Sequence, residues 1–114
     1  MNMEFRELME FIDHENKRLG KLSKLYPEPD NFSDRERIFA RTIKLTEELG
    51  ELCDEILAFG GNQRQDKLAK HNPDNLSEEF ADVLITTLIL AKTMNIDIEE
   101  SLRKKIEKIN DRYK

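Results

Sequence analysis

The spacing of apolar residues along the chain predicts four helices. In the first, over residues 3–25, apolar side chains recur at steps of three, four or seven: Phe5, Leu8, Ile12, Leu19 and Leu22. The sequence Tyr-Pro-Glu-Pro at residues 26–29 ends this helix.

The second predicted helix is the longest, and it opens with Ser33 and Glu36 in capping-box spacing. Its repeating positions then alternate steps of four and three: Ile38, Thr42, Leu45, Leu49, Leu52, Ile56 and Phe59. Gly60 and Gly61 stop the helix. Residues 61–76 are mostly polar and form a long connection, which we interpret either as a partly ordered excursion or as a mobile link.

Ser77 is the expected N-cap of a third helix that runs to about Asn95, and Asp97 with Glu100 caps a fourth that runs to the end of the chain. The third helix is apolar around its whole circumference: Val83, Leu84, Ile85, Leu88, Ile89, Leu90 and Ala91. Such a helix is stable only when it is covered on all sides, and a bundle this small needs a second subunit for that. We therefore expect an all-α four-helix bundle that assembles as a homodimer, or as a tetramer made from two dimers.

The composition agrees with helices. A chain of 114 residues and 13.5 kDa has the size of a single domain, which we assign to residues 1–114. Charged and apolar residues each make up 38% of it, tryptophan is absent and valine occurs once, so few residues favour strands. With 19 basic and 24 acidic residues the net charge is −5, which argues against nucleic acid as a partner.

Several features predict a cytoplasmic setting. Cys53 is the only cysteine, which excludes an internal disulfide and a multi-cysteine zinc site. The sequence shows no amino-terminal apolar segment of the secretory type. The longest uncharged stretch, residues 83–91, is much shorter than the roughly 20 residues of a membrane span, so we expect no membrane partner.

Two groups of acidic residues carry the candidate chemistry. They are Glu47, Glu48, Glu51, Asp54 and Glu55 in the second helix, and Glu78, Glu79 and Asp82 in the third. If these helices pack antiparallel, two acids from each converge as oxygen ligands of the kind that Mg²⁺ and Mn²⁺ prefer. The four are Glu48, Glu51, Glu79 and Asp82. Two alternatives stay open: a solvated acidic face on the second helix, and dipole stabilisation of the third helix by Glu78 and Glu79.

These residues resemble the all-α nucleoside triphosphate pyrophosphohydrolases of the MazG type, a group that includes dimeric dUTPases and dCTP pyrophosphatases. Residues 47–51, Glu-Glu-Leu-Gly-Glu, match the EExxE motif of that family, and residues 79–82, Glu-Phe-Ala-Asp, match its ExxD motif. The 27 residues between the motifs fit its variable spacer. The resemblance extends over about residues 37–113.

The resemblance implies hydrolysis of a nucleoside triphosphate between its α and β phosphorus atoms, for housecleaning or for control of nucleotide pools. It implies that the four acids hold Mg²⁺, with Mn²⁺ as a substitute, and that Glu47 orients or deprotonates the attacking water. It also marks candidates for substrate contact, which are Lys44, Lys108, Asn110 and Arg112. Because four carboxylates around one ion leave excess negative charge, the site should bind further metal ions or recruit cationic side chains.

Each assignment has a plainer alternative. Lys44 can instead pair with Glu48, and Lys108, Asn110 and Arg112 can form a solvated helix face. Gly50 indicates either close approach by a helix or a substrate, or simple tolerance. The rival function is a non-catalytic helical module whose acidic faces bind a partner or lie in solvent, and whose third helix only oligomerises.

The circumference of the third helix generates a prediction about assembly. Light scattering at micromolar concentration should give a particle larger than the 13.5 kDa of one chain. A monomer would contradict the burial argument.

Overall fold

A computed structural model describes residues 2–21, 33–60 and 73–114 of the chain. Over these ranges the chain forms four helices and no strand, which confirms the all-α prediction there. The helices are α1 (Phe5–Lys21), α2 (Asp34–Phe59), α3 (Pro73–Thr93) and α4 (Ile98–Asp111). The predicted end of the first helix and most of the 61–76 connection lie outside the described residues. In the described part of the chain, each helix is too short or too polar to cross a bilayer.

The predicted start of α2 is confirmed by its capping hydrogen bonds. The backbone amide of Glu36 donates to Ser33 Oγ at 3.2 Å, and the Ser33 hydroxyl donates to Glu36 Oε1 at 3.1 Å. One of the amides that lack an intrahelical partner is thereby satisfied. At the other end the helix stops at Phe59, and the amide of Gly60 donates to the carbonyl of Ile56 at 2.9 Å.

The predicted start of α3 is wrong by one turn. The helix begins at Pro73, so Ser77 lies inside it rather than at its N-cap. Proline suits a first helical turn because its φ is already helical and it has no amide that would go unpaired, so Pro73 opens the helix instead of interrupting it. Glu78 and Glu79 therefore lie in the second turn, beyond the amides with which a helix dipole stabilises acids best.

The junction between α3 and α4 is closed by local hydrogen bonds. Asn95 adopts a φ of 56°. Its amide donates to the carbonyl of Lys92 at 3.0 Å, and the amide of Ile96 donates to the carbonyl of Ala91 at 2.9 Å. This pair of bonds forms a Schellman motif, in which asparagine tolerates the left-handed conformation better than most residues. The motif ends α3 at Thr93, two residues before the predicted end.

The predicted cap of α4 is confirmed. Asp97 has an extended backbone, and its Oδ1 accepts a hydrogen bond from the amide of Glu100 at 3.1 Å. The Ser101 hydroxyl donates to the Asp97 carbonyl at 3.0 Å. An aspartate at this position satisfies an unpaired amide and places negative charge at the positive end of the helix.

The chain divides into two compact units, the first comprising Met1–Ile38 with Leu88–Lys114 and the second comprising Phe39–Thr87. In the first unit, Ile12 of α1 is completely buried, and Leu88 and Ile89 of α3 are buried as well.

Polar contacts join α1 to the end of α3 within the first unit. The Thr93 hydroxyl donates to Asn16 Oδ1 at 3.3 Å, and Lys92 Nζ lies 3.5 Å from Asp13 Oδ1. A hydrogen bond from Lys17 and the charge of Lys92 lower the pKa of the Asp13 carboxyl, because both favour its ionised form.

In the second unit α2 buries only part of the stripe that its apolar periodicity marks. Its buried residues are Arg41, Glu48, Leu52 and Ala58, whereas Thr42, Leu49, Ile56 and Phe59 are exposed. Leu52 belongs to both sets, because the buried side of α2 overlaps the apolar stripe but also includes the positions of Arg41 and Glu48. The buried face of α2 is the one that carries Glu48, so the fold places charge in the interior of this unit.

Large apolar side chains stay exposed in the second unit. Phe39, Ile43, Phe59 and Leu84 are each more than half exposed. On α3 Leu88 and Ile89 are buried and Leu84 is exposed, whereas the other apolar residues of its circumference are half-buried: Val83, Ile85, Leu90 and Ala91. A second subunit over the uncovered side remains the prediction made from the sequence.

Gly50 gives a prediction about stability. A Cβ added there would meet no heavy atom within 4 Å beyond its chain neighbours and the backbone of its own helical turns, as far as the described residues extend. Alanine should then raise the free energy of unfolding by about 1 kcal/mol, the usual gain over glycine inside a helix, in urea denaturation followed by circular dichroism. A loss of stability would mean that another chain packs against this position.

Candidate metal centre

Three carboxylates from two helices meet in the second unit. Glu48 and Glu51 of α2 and Glu79 of α3 each offer one oxygen, and these oxygens lie within 4.8 Å of one another. Glu48 and Glu51 share a face of α2 because they are three residues apart. The structure thus brings together three of the four acids that the sequence singled out as metal ligands.

The electrostatics of Glu79 show how crowded these charges are. Its pKa is raised to about 7, first by burial of the carboxyl and then by the charges of Glu51, Asp82 and Glu48. A hydrogen bond with Glu51 also favours the protonated form. Like charges this close cannot all ionise without compensation, so at neutral pH the cluster without a cation retains part of a proton.

The fourth predicted ligand, Asp82, is coupled to the cluster but is not part of the group of three. Its pKa is raised first by desolvation of the carboxyl and then by the charges of Glu48 and Glu78, while Lys44 lowers it. Asp82 therefore feels the charge of a residue in the trio. Its role as a ligand remains a prediction.

Two carboxylate oxygens of the cluster are buried without a hydrogen-bond donor. They are Glu48 Oε2 and Glu79 Oε2, and no partner for either is found among the described residues. A buried carboxylate oxygen that lacks a donor is costly, and native proteins usually satisfy such atoms. A divalent cation would satisfy both, and an all-oxygen set of carboxylates is what Mg²⁺ and Mn²⁺ prefer. The residues present therefore fit a hard divalent cation.

Lys44 lies beside the cluster on α2. Its Nζ is 2.9 Å from Glu48 Oε1 and 3.7 Å from Glu47 Oε2. The pairing with Glu48, one of the two interpretations open from the sequence, is thus present in the structure. Glu47, the predicted partner of the attacking water, has a side chain that is 57% exposed and so remains open to solvent.

The predicted substrate contacts of α4 are not in the unit that holds the acidic cluster. Lys108, Asn110 and Arg112 are exposed residues of the first unit, and Arg112 is the C-cap of its helix. Contact between these side chains and a substrate remains a prediction.

Sequence reasoning missed Arg41. The residue is buried, with 6% of its surface exposed. It lies on the same side of α2 as Glu48, which follows it by seven residues. The available signal was the two-turn spacing between an arginine and a candidate ligand, which places both on one helix face. A buried guanidinium contributes positive charge inside a unit whose interior also holds acidic groups.

Comparison with known proteins gives the family. A model of the MazG nucleotide pyrophosphohydrolase domain matches residues 40–114, well over half of the chain. The chain belongs to the MazG nucleotide pyrophosphohydrolase family. The match includes both acidic motifs and the basic residues of α4.

A curated relative is similar to this MazG family chain over part of its length. It is an uncharacterized protein of Bacillus subtilis (strain 168), YpjD, which is 36% identical over 75 residues. The aligned segment covers 66% of this chain and 66% of the relative, slightly less than two thirds of each. No solved structure gives a significant match.

The raised pKa of Glu79 predicts how stability depends on pH in the absence of a divalent cation. The pKa of Glu79 is about 7 in the folded state, whereas the ordinary pKa of a glutamate is 4.5. The protonated carboxyl therefore contributes its full share to the free energy of unfolding below pH 4.5, and this share is lost as the pH rises through 7. Urea unfolding should be measured at pH 5 and pH 8 in the presence of a chelator. Glu79→Gln mimics the protonated form, so this variant should lose less unfolding free energy between pH 5 and pH 8 than the wild type does.

The exposed Glu107→Gln is a suitable control, because it removes a carboxylate of α4 outside the cluster. It should leave the pH dependence of the wild type unchanged. An equal pH dependence in Glu79→Gln and the wild type would contradict the crowding of charges at Glu79.

Proposed function

We propose that this chain is a Mg²⁺-dependent nucleoside triphosphate pyrophosphohydrolase. It converts a ribo- or deoxyribonucleoside triphosphate to the monophosphate and pyrophosphate. The observation that supports this most strongly is the trio of carboxylates, two of whose buried oxygens have no donor among the described residues, in a chain of the MazG family.

The carboxylates of the second unit hold the cation. Glu48, Glu51 and Glu79 are its first ligands and Asp82 completes the set, with Mn²⁺ accepted in place of Mg²⁺. When bound, the cation polarises the phosphoryl oxygens and offsets the charge of the departing pyrophosphate. Burial of Glu48 and Glu79 favours uptake of a cation because a partly desolvated carboxylate binds a counter-charge more strongly than a hydrated one does.

Glu47 acts on the water. It directly precedes Glu48 and its side chain is exposed, so it can reach a water molecule next to the cation while Glu48 stays buried. A carboxylate at hydrogen-bonding distance orients the lone pair of that water and accepts its proton as the bond to the α-phosphorus forms.

The basic face of α4 binds the phosphates. Lys108 and Arg112 are one helical turn apart and exposed, so both can present donors to phosphate oxygens. Asn110 contributes a contact to the sugar or the base. In this proposal residues 1–114 act as one domain of a cytoplasmic homodimer, or of a tetramer of two dimers, which clears or balances nucleotide pools and does not bind nucleic acid.

A panel assay tests the activity itself. Pyrophosphate release should be measured with canonical and modified triphosphates in the presence of Mg²⁺ or Mn²⁺. A wild-type chain that is inert across the panel would favour the non-catalytic interaction module, for which the exposed apolar residues of α2 and α3 would provide the contact surface.

The ligands generate a prediction about turnover. Glu48→Gln and Asp82→Asn should each lower turnover by at least about 100-fold, because each removes a charged oxygen ligand, while the helical circular dichroism spectrum is retained. Glu107→Gln serves as the matched control and should keep wild-type activity. Full activity in both ligand variants would show that other carboxylates hold the cation.

A further inference from the structure

Lys44 forms an ion pair with a residue of the metal centre. Its Nζ lies 2.9 Å from Glu48 Oε1, and the two side chains are only 24% and 9% exposed. The ion pair of Lys17 with Asp13, which is also spaced by four residues, is far more exposed. Water screens a half-buried pair less than an exposed one, so the contact between Lys44 and Glu48 is the stronger of the two.

The ammonium of Lys44 affects more than one member of the acidic cluster. It is 3.7 Å from Glu47 Oε2, and its charge opposes the rise in the pKa of Asp82. Its positive charge therefore offsets part of the negative charge of the acids around it, Glu47, Glu48 and Asp82. In the metal-free chain Lys44 acts as a counter-charge for the cluster.

The contact uses only one of the two oxygens of Glu48. Lys44 bonds to Oε1, whereas Oε2 is buried and has no hydrogen-bond donor among the residues described. The ammonium thus fixes the orientation of the carboxylate and leaves one oxygen available. The ammonium also repels a divalent cation that approaches the same carboxylate, because both carry positive charge.

We propose that Lys44 is a positioning residue that serves as the resident counter-ion of Glu48 and competes with the divalent cation for that carboxylate. The inference rests on one part of the proposed function, which is that the carboxylates bind a divalent cation as cofactor. It differs from a direct substrate contact by Lys44, which would change the KM for the triphosphate and leave cation affinity unaltered.

The proposal predicts opposite changes in two quantities. Loss of the ammonium removes the counter-charge of a buried carboxylate, so the metal-free protein becomes less stable. Loss of the same charge also removes repulsion towards the incoming cation, so the cation binds more tightly. A lysine with a merely structural role would lower both, because a disordered site binds metal poorly.

The experiment uses the full chain, Mn²⁺ alone as the probe and no nucleotide. Bound Mn²⁺ is measured by electron paramagnetic resonance, and thermal unfolding is followed with a chelator at the same pH. Lys44→Gln keeps a hydrogen-bond donor but loses the charge, Lys44→Met loses both, and Lys44→Arg keeps the charge. Lys17→Met is the matched control, since Lys17 Nζ lies 3.1 Å from Asp13 Oδ2 in a similar pair of the first unit.

The expected result is a lower Tm without metal and a Kd for Mn²⁺ that is lower by about tenfold in Lys44→Gln and Lys44→Met. Lys44→Arg should bind Mn²⁺ like the wild type, and Lys17→Met should leave the Kd unchanged. If Lys44→Met does not fold, Lys44→Gln decides the question by itself.

Unchanged or weaker Mn²⁺ binding in Lys44→Gln would overturn the proposal, as would a wild type that binds no Mn²⁺. The proposed function fails separately. A wild type that binds Mn²⁺, binds it more tightly after Lys44→Gln and yet hydrolyses no triphosphate would support the competition at Glu48 and refute the enzymatic activity.

Discussion

Repulsion among carboxylates is the constraint on which the candidate site depends. Oxygens of Glu48, Glu51 and Glu79 lie within 4.8 Å of one another, partly shielded from water. A fold gains nothing in stability from such an arrangement, because each acid raises the cost of ionising the others. The arrangement becomes favourable only when positive charge is added, and its chemistry follows from that requirement.

The chain meets the requirement in part with its own residues. Lys44 neutralises Glu48 at one oxygen, and Glu79 keeps a proton to a higher pH than usual. Neither supplies a donor for the two buried oxygens that remain. The site is therefore only partly compensated without a cation, which is the condition expected of a centre that must bind and retain a small, doubly charged ion.

Local chemistry made much of the fold predictable from the sequence. The caps at Ser33 and Asp97 and the stop after Phe59 depend on neighbouring residues only, so their signals can be read without knowledge of the tertiary structure. The start of α3 was mispredicted because Pro73 can either break a helix or open one, and the choice depends on what precedes it.

The site was predictable to a similar extent. Spacing showed which acids share a helix face, and the two-part motif paired α2 with α3. Sequence could not show which face of α2 is buried, because that depends on tertiary packing, and so Arg41 was missed. It could not decide between substrate and Glu48 as the partner of Lys44, since a long flexible side chain reaches either.

The uncovered side of α3 has a thermodynamic consequence. Leu84 is 64% exposed, and Phe80, one turn earlier on the same face of the helix, is 49% exposed. A second copy of the chain that shields this apolar surface would gain free energy from its burial. Stability would then rise with protein concentration, since assembly favours the folded chain by mass action.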